Sequence, residues 1–346
     1  MRSGSHVTIK DIAKSLGLSY STVSLALNNA SVVNDKTRER VQEYARSVRY
    51  RPNLSAKSIR TGHTRLIGAV LGRFINSFFE EITQGIENVA ASSGYDVILN
   101  TNGSPEGTES ELLERFIDRH VEGVITSVFS MSEDGIETLR EVGIPVLLLR
   151  PDAEGSYPYV AVDNILGGRL AVSHLVELGH KHIIYVGYDS IYSHLRESGA
   201  RAEAQSEGAY IEYCPVPKAI DRGASYDAIK LRIQAGLDFT AIFCADDVLS
   251  VGAIQALREA DVSVPNEVSV VGFDDLRWAP LLSPPLTTIH QPQISQGEIA
   301  MGMLIDMMEG KPVQSRLLAP RLMVRGSTSH RKFRESLQAH SGLHNC

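Results

Sequence analysis

Apolar residues near the start of the chain recur at helical spacing. Ile9, Ile12, Ala13 and Leu16 stand at i, i+3, i+4 and i+7, the inward face of a short helix. Thr8 with Asp11 three residues on reads as a capping box, and Gly17 as a stop signal. Ser19 can cap a second helix, in which Val23, Ala26 and Leu27 turn inward at the same spacing. A third helix is predicted from Asp35, with Val41, Tyr44, Ala45 and Val48 on one face, and Pro52 forbids its continuation. These apolar groups suffice to close a three-helix core. Two short helices joined by a tight Gly-containing turn form a helix-turn-helix unit, whose second helix offers its outer face to the DNA major groove. That face is Tyr20, Ser21, Ser24, Leu25 and Asn28. An ordinary helical hairpin is the alternative on these residues alone.

Asn53 then caps the stretch Leu54 to Arg60, which Thr61-Gly62 ends. A helix of two turns is unstable in isolation, so it is either ordered by a twin in a dimer or by DNA, or is a plain linker. From Leu66 the period changes. Short apolar runs at 66–71, 96–100, 123–127 and 145–149 alternate with helical patterns at 78–93, 109–120 and 132–142. The alternation resumes after Val162, with strands at 182–187, 211–216, 241–245 and 268–273 and helices at 164–179, 193–207, 224–235 and 248–260. Such βαβ alternation makes parallel sheets covered by helices. The expected fold is an all-α helix-turn-helix head plus an α/β body of two doubly wound parallel-sheet lobes. Ligands of open sheets sit beyond the carboxyl ends of the strands, so two facing lobes make a cleft. The segments Leu286 to Pro292, Ile294 to Met308 and Arg316 to Arg325 are expected to complete the first lobe. The expected division is a head at 1–51, a hinge at 52–64, a first lobe at 65–162 plus 291–328, a second lobe at 163–290 and a tail at 329–346, with His330 to Cys346 expected to be mobile.

Charge sharpens this picture. The chain of 346 residues has a net charge of −7, but residues 1–65 hold 12 Lys and Arg against 4 Asp and Glu, and the rest holds 22 against 37. A basic head on an acidic body points to a polyanion partner for the head, with binding that weakens as salt rises. Cys214, Cys244 and Cys346 are far apart and unpatterned, which fits a reducing cytoplasm and neither a disulfide frame nor a zinc site. No apolar run approaches the ~18 residues of a membrane span, and the N-terminus lacks the apolar stretch of a signal peptide. His174, His180 and His182 straddle a helix end and a strand, and are read as surface or capping side chains rather than metal ligands. The glycine-rich phosphate loops and the nucleophile elbow of common enzyme classes are missing. No catalytic residue, cofactor or metal is expected.

Residues 7–65 resemble the DNA-binding head and hinge of the LacI/GalR family of bacterial transcription regulators. The motifs are Val7 to Ala13, Leu18 to Ser24, Thr37 to Val41 and Arg51 to Ile59, in matching order and spacing. The resemblance continues through Gly168 to Ala171, Leu178 to Ile183, Val270 to Asp275 and Pro284 to Pro292, and so covers roughly residues 7–328. It implies that Tyr20, Ser21 and Leu25 read base edges, with Thr8, Ser19, Thr22, Ser24 and Asn28 completing the contact set. Many members carry Arg or His where this chain has Leu25; Leu meets an apolar edge such as a thymine methyl but lacks the bidentate bond to guanine. In the hinge, Ile59 holds the position of the apolar wedge that enters the minor groove, usually Leu. Lys57 and Arg60 flank it, suited to phosphates.

The same resemblance places effector contacts on the loops after the strands: Phe79 as an apolar contact, Arg196 and Asp274 as hydrogen-bonding groups, and Ile220 where an aromatic is frequent. Three positions depart from the common pattern: Arg150 replaces Asp, Asp246 replaces Asn, and Arg73 stands where a small residue is usual. Three arginines lining one cleft would favour a sugar acid or sugar phosphate through the bidentate guanidinium fork; arginines turned to solvent or paired with Asp246 are the other reading. The expected protein is a cytoplasmic homodimeric regulator, a repressor, on a roughly palindromic DNA operator, switched by a sugar-like effector. A solute-binding protein and a two-lobed enzyme are the rivals, opposed by the basic head and by the missing catalytic motifs.

Overall fold

Local capping explains where the helices of the head begin and end. The structure, a computed structural model, describes residues 7–50, 62–72, 77–101, 109–127, 131–150, 155–217 and 221–331. It divides into Met1–Thr64 and Arg65–Cys346. Helix α1 (Ile9–Leu16) starts on Thr8, whose hydroxyl accepts from the Asp11 amide at 3.3 Å while the Thr8 amide donates to the Asp11 carboxylate at 2.8 Å. It ends on Gly17 at φ 65°, the left-handed conformation that glycine adopts without strain. Ser19 caps α2 (Tyr20–Leu27) by accepting from the Thr22 amide at 3.1 Å. Helix α3 (Asp35–Ser47) closes the unit. Ile12, Ala13, Val23, Ala26, Val33, Val41 and Ala45 form its core. The Arg38 guanidinium ties the start of α3 to the preceding loop, donating to the Val33 carbonyl at 2.7 Å and pairing with Asp35 at 2.6 Å. The expected hinge helix, with Lys57, Ile59 and Arg60, lies outside the described residues.

In the body, apolar runs become strands and the stretches between them become amphipathic helices. The first lobe takes β1 (Leu66–Leu71), α4 (Ser77–Ser92), β2 (Asp96–Thr101), α5 (Glu109–Asp118), β3 (Gly123–Thr126), α6 (Glu133–Glu141) and β4 (Val146–Leu148). Its sheet is parallel, in the order β2-β1-β3-β4. The short strand β5 (Val160–Val162) leads to the second lobe: α7 (Asn164–Glu177), β6 (His182–Gly187), α8 (Ile191–Ser206), β7 (Tyr210–Pro215), α9 (Arg222–Ala235), β8 (Ala241–Cys244), α10 (Asp247–Glu259), β9 (Ser269–Asp274) and β10 (Thr287–His290). Helix α11 (Gln293–Met308) returns to pack on α4, and β11 (Arg316–Leu318) pairs parallel with β5. Last, β12 (Arg321–Met323) pairs antiparallel with β10, so the second sheet runs β12-β10-β9-β8-β6-β7.

Three expectations are corrected here. Leu286 to Pro292 and the end of Arg316 to Arg325 do not complete the first lobe: β10 lies parallel beside β9, and β12 forms the edge of the same second sheet. A three-residue strand carries too little pattern to announce its partner; the open edge of β10 decides it. Nor does the tail begin at 329, and His330 and Arg331 belong to the stretch bonded to the second lobe. The Ser329 amide donates to the Ser269 hydroxyl at 3.1 Å, and the Arg331 amide to the Leu178 carbonyl at 2.8 Å. The histidines also differ from a surface reading. His180 is buried, bonded to the Thr240 hydroxyl at 2.9 Å and the Ser329 carbonyl at 3.1 Å, and His174 meets the Thr328 hydroxyl at 2.9 Å. They anchor Thr328 and Ser329 to the second lobe.

Glycines set the helix spacing in both lobes. A Cβ on Gly85 of α4 would lie 2.0 Å from the Ile294 carbonyl oxygen, and one on Gly297 of α11 would lie 2.1 Å from that of Ile82. In the second lobe, a Cβ on Gly168 of α7 would lie 2.0 Å from the Arg196 carbonyl oxygen, and one on Gly199 of α8 would lie 2.0 Å from that of Ile165. The backbones touch, and Arg196 is seated at this crossing.

Candidate functional site

Each sheet changes winding direction between its first and third strands, and the crevice for a ligand opens at the carboxyl ends of those strands. In the second lobe these are β6 and β8, followed by Tyr188 and by Ala245-Asp246. Asp246 caps α10, accepting from the Leu249 amide at 2.8 Å, and is buried. Arg196, from the first turns of α8, reaches the same place. Its Nε donates to Asn164 Oδ1 at 2.8 Å and its Nη1 to the Ala245 carbonyl. The guanidinium stacks 3.7 Å from the Phe273 ring centroid and stands 3.7 Å from the Asp274 carboxylate. Packing an arginine on an aromatic face and filling its donors fixes its orientation before any ligand arrives.

Asp274 ends β9 at φ 110°, a conformation costly for any residue with a Cβ. Two glutamines hold it there: Gln291 Nε2 donates to its carboxylate and Gln293 Nε2 to its carbonyl, both at 2.6 Å. Burial pushes the Asp274 carboxyl up to about 7; Asp246 adds to the rise, while Arg196 and the Gln291 bond oppose it. Asp247, also buried, is raised well above the ordinary carboxylate range by burial and then by Asp274. Its oxygens are filled by the Thr288 hydroxyl at 2.6 Å and the Leu276 amide at 2.8 Å, so its role is to brace the strand ends. One buried arginine thus faces more than one buried carboxylate, and this wall of the cleft is acidic.

The first lobe meets the second at three places, through Leu149, Arg150 and the start of α4. Phe79 lies in the first turn of α4, over Gly72 at the end of β1; a Cβ on Gly72 would meet the Phe79 ring at 2.3 Å. Tyr192 of α8 spans the gap, its hydroxyl donating to the Leu149 carbonyl after β4 at 3.2 Å. Arg150 is next in the chain and half-buried. Burial raises the Tyr192 hydroxyl, with Arg196 and Arg150 acting against the rise, which puts both guanidinium groups near it. Tyr188 is raised in the same way, and feels Asp246, Arg196 and Asp274. At the edge, Arg277 of the second lobe pairs with Glu80 and Glu81 of α4, each at 2.8 Å.

Of the residues expected at an effector site, Arg196, Asp246 and Asp274 are therefore brought together, with Phe79 and Arg150 on the facing lobe. Arg73 and Ile220 lie outside the described residues. Tyr188, Tyr192, Asn164, Gln291 and Gln293 were missed. The rule that ligands sit past the ends of strands would have flagged Tyr188, directly after β6. The others converge from places far apart in the chain. Among the described residues no cluster of His, Cys, Asp and Glu could hold a metal ion, and no helix is long and apolar enough to cross a membrane.

On the head, Tyr20 is 55% exposed and Leu25 39%, and Ser21 and Asn28 are exposed as well. Ser19, Ser21 and Thr22 join their hydroxyls at the start of α2, with Ser19 Oγ 2.9 Å from Ser21 Oγ and 2.8 Å from Thr22 Oγ1. Thr8 occupies the matching place on α1. Ser24 departs from the expected outer face, at only 8% exposure. It follows Val23 by a turn of roughly 100°, and its short side chain does not clear the neighbouring buried groups. Asn28 folds back, donating to the Ser24 carbonyl at 2.7 Å.

The sequence profile of bacterial regulatory proteins, lacI family, matches residues 8–53, and that of the periplasmic binding protein-like domain matches residues 172–328. The HTH-type transcriptional regulator RegA of Clostridium saccharobutylicum is 32% identical over 336 residues, 93% of this chain and 99% of RegA. The crystal structure of the lac repressor dimer bound to operator and the anti-inducer ONPF superposes with a TM-score of 0.84 at 26% identity, over 93% of this chain and 99% of the repressor. A LacI family regulator from Enterococcus faecium, solved with bound ribose, gives a TM-score of 0.69 at 28% identity, over 77% of this chain and 100% of that one. The capped helix pair, the two-lobed body and the full-length likeness to RegA agree: the chain belongs to the lacI family of bacterial regulatory proteins and is a DNA-binding transcription regulator.

Proposed function

We propose that this regulator is a cytoplasmic repressor that binds a roughly palindromic operator as a homodimer and is switched by a small hydroxyl-rich molecule in the cleft. The observation that carries the effector half is the buried Arg196–Asp274 pair, 3.7 Å apart beside Asp246 at the switch point of the second sheet. Carboxylates accept from sugar hydroxyls, the guanidinium donates to them, and Phe79 offers an apolar face to a ring. The acidic balance of this wall favours a neutral sugar over a sugar acid, since an anion would meet Asp246 and Asp274. The ribose bound by the Enterococcus faecium relative is of that class. A sugar acid or sugar phosphate stays as a second reading because Arg150 stands beside Tyr192 on the facing lobe. The dimer and its operator are supported by the lac repressor complex.

Tyr20, Ser21 and Leu25 are the proposed base readers, with Thr8, Ser19 and Thr22 at helix starts suited to phosphates. Asn28 borders that face, and the buried Ser24 is a packing residue. Effector binding changes lobe closure, and through the dimer it changes operator affinity by a coupling of about 1–3 kcal/mol. Two measurements test the reading. Selection of bound genomic DNA followed by gel shift is expected to return paired half-sites; no specific fragment at low salt sinks the operator claim. Calorimetric titration with D-ribose, D-gluconate and D-glucose 6-phosphate is expected to favour the neutral sugar; binding of the anions alone reverses the charge argument.

A further inference from the structure

The first turn of α7 is built around Arg196. Asn164 opens the helix, and Gly167 and Gly168 follow at i+3 and i+4, on the same face. A Cβ on Gly167 would lie 2.6 Å from the Phe273 ring, and one on Gly168 would lie 2.0 Å from the Arg196 carbonyl oxygen. These two glycines therefore admit the aromatic platform and the backbone of α8. Asn164, 4% exposed, fixes the guanidinium itself. Its Oδ1 accepts from Arg196 Nε at 2.8 Å, and its Nδ2 donates to the Val162 carbonyl of β5 at 2.9 Å. The second bond secures the first, because a flipped amide would press oxygen against oxygen on one side and N–H against N–H on the other.

These contacts decide how much of the guanidinium is left for a ligand. An arginine holds a carboxylate or a phosphate best through two parallel N–H···O bonds, from Nε with Nη2 along its side or from Nη1 with Nη2 at its tip. Asn164 occupies the Nε–H, so the side fork is closed. At the tip, Nη1 donates to the Ala245 carbonyl and stands 3.7 Å from the Asp274 carboxylate. An anion placed there would meet the like charge of Asp274 as well as a carbonyl oxygen. One face of the guanidinium is covered by Phe273, whose ring centroid lies 3.7 Å away. Arg196 can thus give a single hydrogen bond to a hydroxyl, but its forks are spent on the protein.

We propose that Asn164 is a positioning residue that sets effector class: by closing the side fork of Arg196 it bars carboxylate and phosphate groups from that site and admits neutral hydroxyls. This inference rests on the effector reading above and deepens it. The test is calorimetric titration of wild type, Asn164→Ala and Asn164→Asp with D-ribose, D-ribose 5-phosphate, D-glucose, D-gluconate and D-glucose 6-phosphate. Wild type is expected to bind a neutral sugar at least tenfold tighter than the acid or phosphate of that same sugar. In Asn164→Ala that ratio is expected to fall at least fivefold as the freed Nε–H turns to the cleft, and an anion too weak to register on wild type is expected to register. Asn164→Asp keeps an acceptor on Nε and adds a negative charge, so its ratio is expected to hold or rise. Asn164→Ser, too short to reach Nε, serves if the alanine variant fails to fold. A residue that only supports the fold would weaken every ligand by the same factor and leave the ratio alone. An unchanged ratio in Asn164→Ala, equal loss of all its ligands, or tighter binding of the anions to wild type overturns the inference alone. Failure of every ligand to bind wild type overturns the effector reading, and the inference with it.

Discussion

Asp274 meets three demands at once: a positive φ, burial, and a neighbouring Asp246 of its own charge. Its carboxyl is pushed up to about 7 from an ordinary 3.8, so the folded protein holds that proton more tightly than the unfolded chain. Stability from this group is therefore full below about pH 4 and is lost as pH rises through about 7. Asp274→Asn removes the ionisation. Denaturant unfolding across this range is expected to show the variant gaining on wild type by on the order of 2 to 4 kcal/mol between the acid and neutral ends. A difference that stays flat with pH would mean that Arg196 keeps Asp274 ionised throughout. On the head, Leu25 is the residue whose chemistry departs most from a guanine reader. Leu25→Arg is expected to move preference at one base pair of each half-site toward guanine, by about 1–3 kcal/mol, read by site selection on the two proteins. Unaltered preference would remove Leu25 from the reading face. Both residues were identifiable by position in the chain, whereas the positive φ of Asp274 and the inward turn of Ser24 were not, because each depends on what packs against it.

At the scale of elements, the close helix crossings carry a sharp contrast. Gly199→Ala and Gly85→Ala would each drive a methyl to 2.0 Å from a carbonyl oxygen of the partner helix. Backbone must then move, and overpacking of this kind costs about 1–3 kcal/mol. Gly302, in the same helix as Gly297, has nothing within 4 Å of a built Cβ. Gly302→Ala is expected to stabilise by roughly 0.5–1 kcal/mol through the lost backbone freedom of the unfolded chain. Thermal unfolding of the three variants checks this, and equal shifts would show that the crossings yield freely. Gly199→Ala is further expected to weaken sugar binding, since α8 carries Arg196. Element identity itself was legible in advance: the capping box of Thr8 and Asp11, the Ser19 cap, the switch from helical period to apolar runs and the βαβ alternation are local signals. The short strands β5, β11 and β12 were not legible, for three residues have no period, and their partners lie far along the chain.

For the whole molecule, the two lobes of the body are held together at the edge by Arg277 with Glu80 and Glu81, and inside by Tyr192 with the Leu149 carbonyl. The edge pairs are largely exposed, so salt screens them. Sugar dissociation from wild type is expected to quicken as salt rises, and Arg277→Gln is expected to release sugar faster and lose most of that dependence, as followed by stopped-flow fluorescence of Trp278. Identical salt profiles would assign closure to the inner contact instead. The separate salt dependence of operator binding belongs to the basic head, which holds 12 Lys and Arg against 4 acidic residues in positions 1–65.

Periodicity, caps and charge were enough to set a helical basic reader on an acidic two-lobed α/β body, because each is written in neighbours a few residues apart. The lobe that receives β10 and β12 was settled by an open sheet edge. The cleft was settled by convergence: Asn164, Tyr188, Arg196, Asp246, Asp274 and Gln293 meet from six separate stretches of chain. Their spacing reflects how closely glycine-bearing helices approach and how parallel strands stack their carboxyl ends. A linear pattern names the side chains available for such a site; only packing in three dimensions chooses which of them face one another.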